Sequence, residues 1–117
     1  MKIQVNTDGS IAGSDALTQQ LEADVSAALE RYGDRLTRVE LHLSDENGPK
    51  ASHGADKRCM IEARPAGLQP VAVTEHADTI ERACHGATRK LQSLLDTTFG
   101  RIADRHGDDT IRQAEDS

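Results

Sequence analysis

Aromatic residues are almost missing from this chain: its 117 residues include no tryptophan, one tyrosine (Tyr32) and one phenylalanine (Phe99). A core must therefore be assembled from Leu, Ile, Val and Ala, and two rings argue against a platform that stacks several bases. Cysteine is scarce as well. Cys59 and Cys84 show no CxxC spacing or disulfide framework, and both fall on predicted apolar faces, which favours buried reduced thiols over redox or metal chemistry. No apolar run approaches the roughly 20 residues that span a bilayer, and the N-terminus has no basic region followed by an apolar stretch. The expectation is a soluble cytoplasmic protein. Its length suits one domain with a single modest core.

Cations are the minority charge, 14 Lys and Arg against 20 Asp and Glu, for a net charge of -6. One segment reverses that sign. From Ala77 to Ala103 four cations (Arg82, Arg89, Lys90, Arg101) outnumber three acids (Asp78, Glu81, Asp96). The same stretch reads as one amphipathic helix from Thr79 to Ile102, with Ile80, Cys84, Ala87, Leu91, Leu94, Leu95 and Ile102 on its apolar stripe. A local reversal of sign is where a polyanion-binding surface is sought, and a solvated helix face is the plainer reading of the same charges.

Elsewhere the patterning is mostly of period two. Lys2 to Thr7, Arg38 to Ser44 and Lys57 to Arg64 alternate apolar and polar residues, each predicting a strand with one buried face. Pro65-Ala66-Gly67 has turn chemistry, so Leu68 to Thr74 should pair back as a hairpin, with Pro70 delaying its start towards Val71. Gly9 and Gly13 break the first strand. Ser14 then suits the N-cap of a helix running to about Tyr32, with Gly33 as its stop. Asp78 or Thr79 can cap the last helix, and Asp78 with Glu81 has capping-box spacing. Asp45 to Asp56 reads as a mobile loop. The tail, Asp104 to Ser117, holds five acids and two bases without sustained periodicity and reads as disordered.

The order predicts an α+β two-layer sandwich, β-α-β-β-β-α, with a four-stranded sheet and two helices on one face. Residues 1–103 form the domain and 104–117 an acidic tail. The other sheet face stays wet, and the groove edges between the helices become the available functional surface.

Several residue stretches carry a family resemblance. Met1-Lys2-Ile3-Gln4-Val5, Ala28-Leu29-Glu30-Arg31-Tyr32 followed by Asp34-Arg35-Leu36, Val39-Glu40-Leu41-His42-Leu43, and Ala83 with Lys90-Leu91 stand in matching order and spacing. Over residues 1 to 103 the chain resembles the ribosome hibernation promoting factor and ribosome-associated translation inhibitor family, also called the sigma-54 modulation protein family. The resemblance implies binding to the small ribosomal subunit near the decoding region, across the path of tRNA and messenger RNA, during slow growth or stress. It implies occupancy without catalysis. Long members add a dimerisation domain; this chain looks like a short form, so ribosome dimers would need a separate partner protein.

Such a surface works through phosphate contacts from Arg and Lys, with shape rather than base edges selecting the site. Arg31, Arg35 and Arg38 surround the end of the first helix. Arg82 and Arg89 share a helix face with His85 between them, and Lys90 and Arg101 nearly align on an adjoining one. With Lys57 and Arg58 these are the candidate RNA-binding residues; Arg35 and Lys90 also sit at family-matching positions. Arg58 and Arg64 could instead pair with Glu40, Glu62 or Glu75. Where family members continue with lysines, this chain reads Gln92-Ser93-Leu94-Leu95-Asp96-Thr97-Thr98, which predicts weaker binding with a flatter salt dependence.

Catalysis finds little support. There is no Gly-rich phosphate loop, nucleophile elbow or paired-cysteine metal motif, and the five histidines (His42, His53, His76, His85, His106) lack HxH or HxxxH spacing. Glu75-His76 are neighbours on a strand end and point in opposite directions. No metal, cofactor, membrane or small-molecule substrate is expected. Two alternatives remain. A double-stranded-RNA-binding-like module shares the β-β-β-α end of the order but would have a lysine-rich start to its last helix. A protein-interaction adaptor would use the open sheet face, where Met60 and Leu68 are candidates for exposure.

Overall fold

Period-two patterning becomes a four-stranded sheet in strand order β1-β2-β3-β4, comprising β1 (Lys2–Thr7), β2 (Leu36–Asp45), β3 (Lys57–Pro65) and β4 (Val71–Ala77). Two helices complete the β-α-β-β-β-α order: α1 (Asp15–Leu29) after β1 and α2 (Ile80–Ala114) after β4. The structure, a computed structural model, describes residues 1–7, 15–45 and 57–114, with side chains through 101. The Gly9 and Gly13 break, the Ser14 cap, loop residues 46–56 and residues 115–117 lie outside the described residues.

Strands β1 and β2 run parallel, joined by the α1 crossover, whereas β2, β3 and β4 form an antiparallel meander. The register stacks apolar residues in rows: Val5, Leu41, Ile61 and Val73 in one, Ile3, Val39, Ala63 and Val71 in the next. The central members, from Val39 to Ala63, are buried, and both helices pack on them. From α1 come Leu21, Val25 and Leu29, and from α2 Ile80, Ala83, Cys84, Ala87, Leu91 and Leu95. At the usual 1.5–3 kcal/mol per fully buried large aliphatic side chain, this shared layer is what holds sheet and helices together. Leu94, which the spacing assigns to the apolar stripe, is only half-buried.

The helices run in the same direction. Leu21 and Val25 face Cys84 and Thr88 near their starts, Gln92 Nε2 donates to Ala28 O further on, and Tyr32 reaches Asp96 beyond the end of α1. Helix α1 does not reach Tyr32 as an α-helix. It tightens into a 3-10 turn, Glu30–Arg35, where Gly33 takes φ +51, a conformation that would strain any residue with a side chain. Gly67 at φ +75 occupies the third place of the Pro65–Leu68 turn, closed by Leu68 N donating to Pro65 O at 3.2 Å.

Beyond the end of α1, two boundaries differ from the sequence expectation, the ends of β4 and α2, while one of the two caps offered for α2 is used. Strand β4 begins at Val71, as Pro70 suggests, but runs on to Ala77, placing Glu75 and His76 inside it. Thr79, and not an Asp78–Glu81 box, caps α2: its Oγ1 accepts from Arg82 N at 3.1 Å, while Asp78 pairs with the Arg82 side chain. Helix α2 continues past Ala103 to Ala114. Each residue added to an existing helix gains a backbone hydrogen bond without needing an apolar stripe, so the backbone outlasts the periodicity.

Candidate nucleic-acid interface

The nine candidate cations sit at the end of α1, on the sheet and along α2, and five of them hold a carboxylate. Arg31 Nη2 lies 2.8 Å from Asp96 Oδ2, Arg38 Nε 2.8 Å from Glu40 Oε2, and Lys57 Nζ 3.0 Å from Asp45 Oδ2. Arg82 Nη1 is 3.2 Å from Asp78 Oδ2, and Lys90 Nζ is 3.2 Å from Glu75 Oε1. Arg35, Arg58, Arg89 and Arg101 have no ion pair among the described residues.

Where α1 ends, the chain's two rings and two of its arginines form one cluster. The Tyr32 and Phe99 centroids are 5.8 Å apart, and the Arg35 guanidinium lies over Phe99 at 4.3 Å and over Tyr32 at 5.8 Å. Arg31 sits 4.9 Å from the Tyr32 centroid and donates to the Tyr32 hydroxyl at 2.7 Å. That bond, followed by the attraction of Tyr32 and Asp96, pushes the Arg31 guanidinium above its ordinary value. Arg31 is thus engaged with protein groups. Arg35, planar and exposed, stays available to an anion while the rings fix its orientation.

On the sheet, parity separates neighbours. Arg38 and Arg58 project from the open face with His42 and Met60. Lys57 shares the parity of Cys59 on the helix-facing side, where its Asp45 partner stands directly opposite. Arg58 Nη2 lies 4.0 Å from Met60 Sδ, and among the described residues neither Arg58 nor Arg64 pairs with a carboxylate, Glu40, Glu62 and Glu75 included. Glu40 is taken by Arg38 and Glu75 by Lys90. Lys2 and Arg64 are exposed cations on this open face, where strand parity already directs them, although neither is among the nine candidate RNA-binding residues.

On α2, Lys90 reaches over the edge of the sheet, donating to Thr74 O at 3.0 Å as well as to Glu75. Gly86, one turn before, makes this approach possible: a Cβ there would meet Glu75 Cγ at 2.8 Å. The Lys90 hydrogen bond, with a second from His76 N, holds the Glu75 carboxyl below the usual carboxylate range. Arg89 and Arg101 are exposed on the same helix.

The groove between the helices, which the two-layer architecture singles out, is a small space of about 110 Å³. Asp24 and Glu81 stand on its lining with His85, so its rim repels rather than attracts a polyanion. Beneath it, the Cys59 and Cys84 thiols are hydrogen-bonded to one another. That contact and burial push Cys59 far above the ordinary thiol range, so its sulfur is not reactive as a thiolate, and Cys84 is buried beside it. Among the described residues no cluster of three or more His, Cys, Asp or Glu could hold a metal ion, and no helix is long and apolar enough to cross a membrane.

An open α+β sandwich, with one sheet face bare and its charges distributed over broad surfaces rather than a cleft, is the build of a small binding domain. The chain belongs to the sigma 54 modulation protein / S30EA ribosomal protein family, whose model matches residues 3–102. Its fold is similar to that of the Thermus thermophilus Protein Y N-terminal domain, at 20% identity and TM-score 0.64, over 84% of this chain and 99% of that one. It is similar also to a ribosomal subunit interface protein from Coxiella burnetii, at 16% identity and TM-score 0.63, over 86% of this chain and 99% of that one. No curated protein matches the chain.

Proposed function

We propose that this protein binds the small ribosomal subunit near the decoding region and keeps idle ribosomes out of translation during stress or slow growth, acting in the cytoplasm by occupancy and not by catalysis. The observation that carries the reading is family membership across residues 3–102, a span that takes in β1 from Ile3, the other three strands and the whole of α1. Contact with rRNA is through phosphates. Arg35, Arg58, Arg89 and Arg101, the candidate cations without carboxylate partners among the described residues, make the principal contacts. Arg31, Arg38, Lys57, Arg82 and Lys90 contribute less, because each must leave or share an acidic neighbour.

Few unpaired cations in a chain of net charge -6 favour modest affinity and a shallow salt dependence. Cosedimentation of the purified protein with small subunits at low and moderate salt tests the reading: comigration is expected at low salt and partial release at moderate salt. Absence of comigration at both overturns it.

A further inference from the structure

The sheet face turned away from the helices carries its charges in like-signed rows. In the register, Lys2 stands opposite Arg38 and Arg38 opposite Arg64, three cations in line across three adjacent strands. The next row places Glu40 directly opposite Glu62. Sheets gain stability from opposite charges in such pairs and lose it from like ones, so this arrangement works against the fold. Relief is only partial. Arg38 lies 2.8 Å from Glu40 Oε2, but its buried Nε has no hydrogen bond of acceptable geometry, and its Nη2 donates to Gln4 Oε1 at 2.7 Å. Lys2 and Arg64 are exposed, and neither pairs with a carboxylate among the described residues.

Two features give the row the character of a docking surface. With adjacent strands about 4.8 Å apart, three aligned cations cover about 10 Å, the reach of two successive phosphates of a nucleic-acid strand. The face as a whole is also cationic: Lys2, Arg38, Arg58 and Arg64 oppose only Glu40 and Glu62. In the helix layer through Arg101, by contrast, seven carboxylates meet six cations. The face therefore complements a polyanion in a protein that is otherwise acidic. Arg58, about 20 Å along the sheet from the row, borders a recess of about 280 Å³ shared with His42, Ser44 and Asn6.

We propose that the open sheet face is a second RNA-contact surface, on which the Lys2–Arg38–Arg64 row grips the phosphate backbone of an rRNA strand, so that the domain touches RNA on both of its layers. This rests on the small-subunit reading above and adds to it the face and the residues. The row's repulsion is relieved by bound phosphates, which makes its cost to the free protein part of the binding energy.

The test uses the full chain, the Lys2→Gln/Arg64→Gln double variant and Glu62→Gln, with affinity for small subunits measured against salt and thermal midpoint measured without ligand. The double variant should melt at or above the temperature of the unaltered protein at low salt. It should bind small subunits about tenfold more weakly at 50 mM salt, with its log–log salt slope reduced by roughly 1.5 to 2. Glu62→Gln should bind about twofold more tightly. Unaltered affinity and slope in the double variant, with normal binding by the unaltered chain, overturn this inference alone. A double variant that melts well below the unaltered chain overturns it too, since the row would then be structural. So does weakened binding to polyglutamate with subunit binding unchanged, which would make the occupant an acidic polypeptide. Failure of the unaltered chain to bind subunits at any salt overturns both readings.

Discussion

The Tyr32 hydroxyl donates to Asp96 Oδ1 at 2.7 Å, joining the turn after α1 to the middle of α2 across 64 residues of sequence. It accepts from Arg31 at 2.7 Å, and Arg31 bonds the other Asp96 oxygen at 2.8 Å, closing a three-membered ring of charge-assisted contacts. The three groups fix how the two helices meet at this end of the molecule.

Tyr32→Phe should lower stability by about 1 kcal/mol, because Asp96 loses a half-buried donor while ring packing on Phe99 is kept. Equilibrium urea unfolding measures it. Burial, then the Asp96 contact, raises the Tyr32 pKa in the folded state. A raised pKa contributes stability that is complete below the unfolded value near 10 and lost as pH climbs through the folded one. Unfolding midpoints between pH 9 and 12 should therefore fall more steeply for the unaltered protein than for Tyr32→Phe.

Arg31 and Arg35 are four residues apart yet should separate cleanly on mutation. Arg31→Gln removes a partner of Asp96 and Tyr32, so it should lower the urea midpoint slightly and change subunit affinity less than twofold. Arg35→Gln should weaken subunit binding three- to tenfold with a lower salt slope. Parallel unfolding and salt-titrated cosedimentation distinguish the two, and equal effects on binding would contradict the assignment of Arg31 to a structural pair.

Glu75 should titrate below the ordinary carboxylate value, since hydrogen bonding from Lys90 lowers its pKa. A lowered pKa contributes stability that is present above the unfolded value and lost as pH falls through the folded one. In Lys90→Met the midpoint should rise most of the way to the ordinary range, which side-chain carboxyl NMR follows directly. An unchanged Glu75 titration would mean the pair does not persist in solution.

Cys59 and Cys84 should resist an aromatic disulfide reagent in the native protein and react together on unfolding, because both are buried and Cys59 is held as the thiol. Reaction rates measured across a denaturant series should track global unfolding. Fast reaction of one thiol in native buffer would show a local opening between α2 and β3.

Much of the fold was legible because each strand alternates and the helices keep their stripe: Leu41 and Ile61 are inward by parity alone, and both are buried. Helix ends were less so. Thr79 and Asp78 are both good caps in sequence, and only the backbone path decides between them. The tail's many acids and missing periodicity conceal a backbone helix that needs neither. The charge pattern was least legible of all. Asp96 and Arg31 are 65 residues apart, and Glu75 and Lys90 are separated by 15, so which cations are neutralised is a property of tertiary structure. A count over one segment shows the sign of α2 and nothing of its partners. Lys2, Arg38 and Arg64 likewise come from three strands, and only register aligns them.

The hydrogen bond from Lys90 to Thr74 O bears on how the molecule behaves in company. Strand β4 is the last of the sheet, and a border strand invites a stranger's backbone to continue the ladder. With one of its acceptors already occupied by an ammonium group, and that group anchored by Glu75, the seven-residue border is interrupted. Neutralising Lys90 would thus remove a guard against strand-to-strand clumping along with a cation.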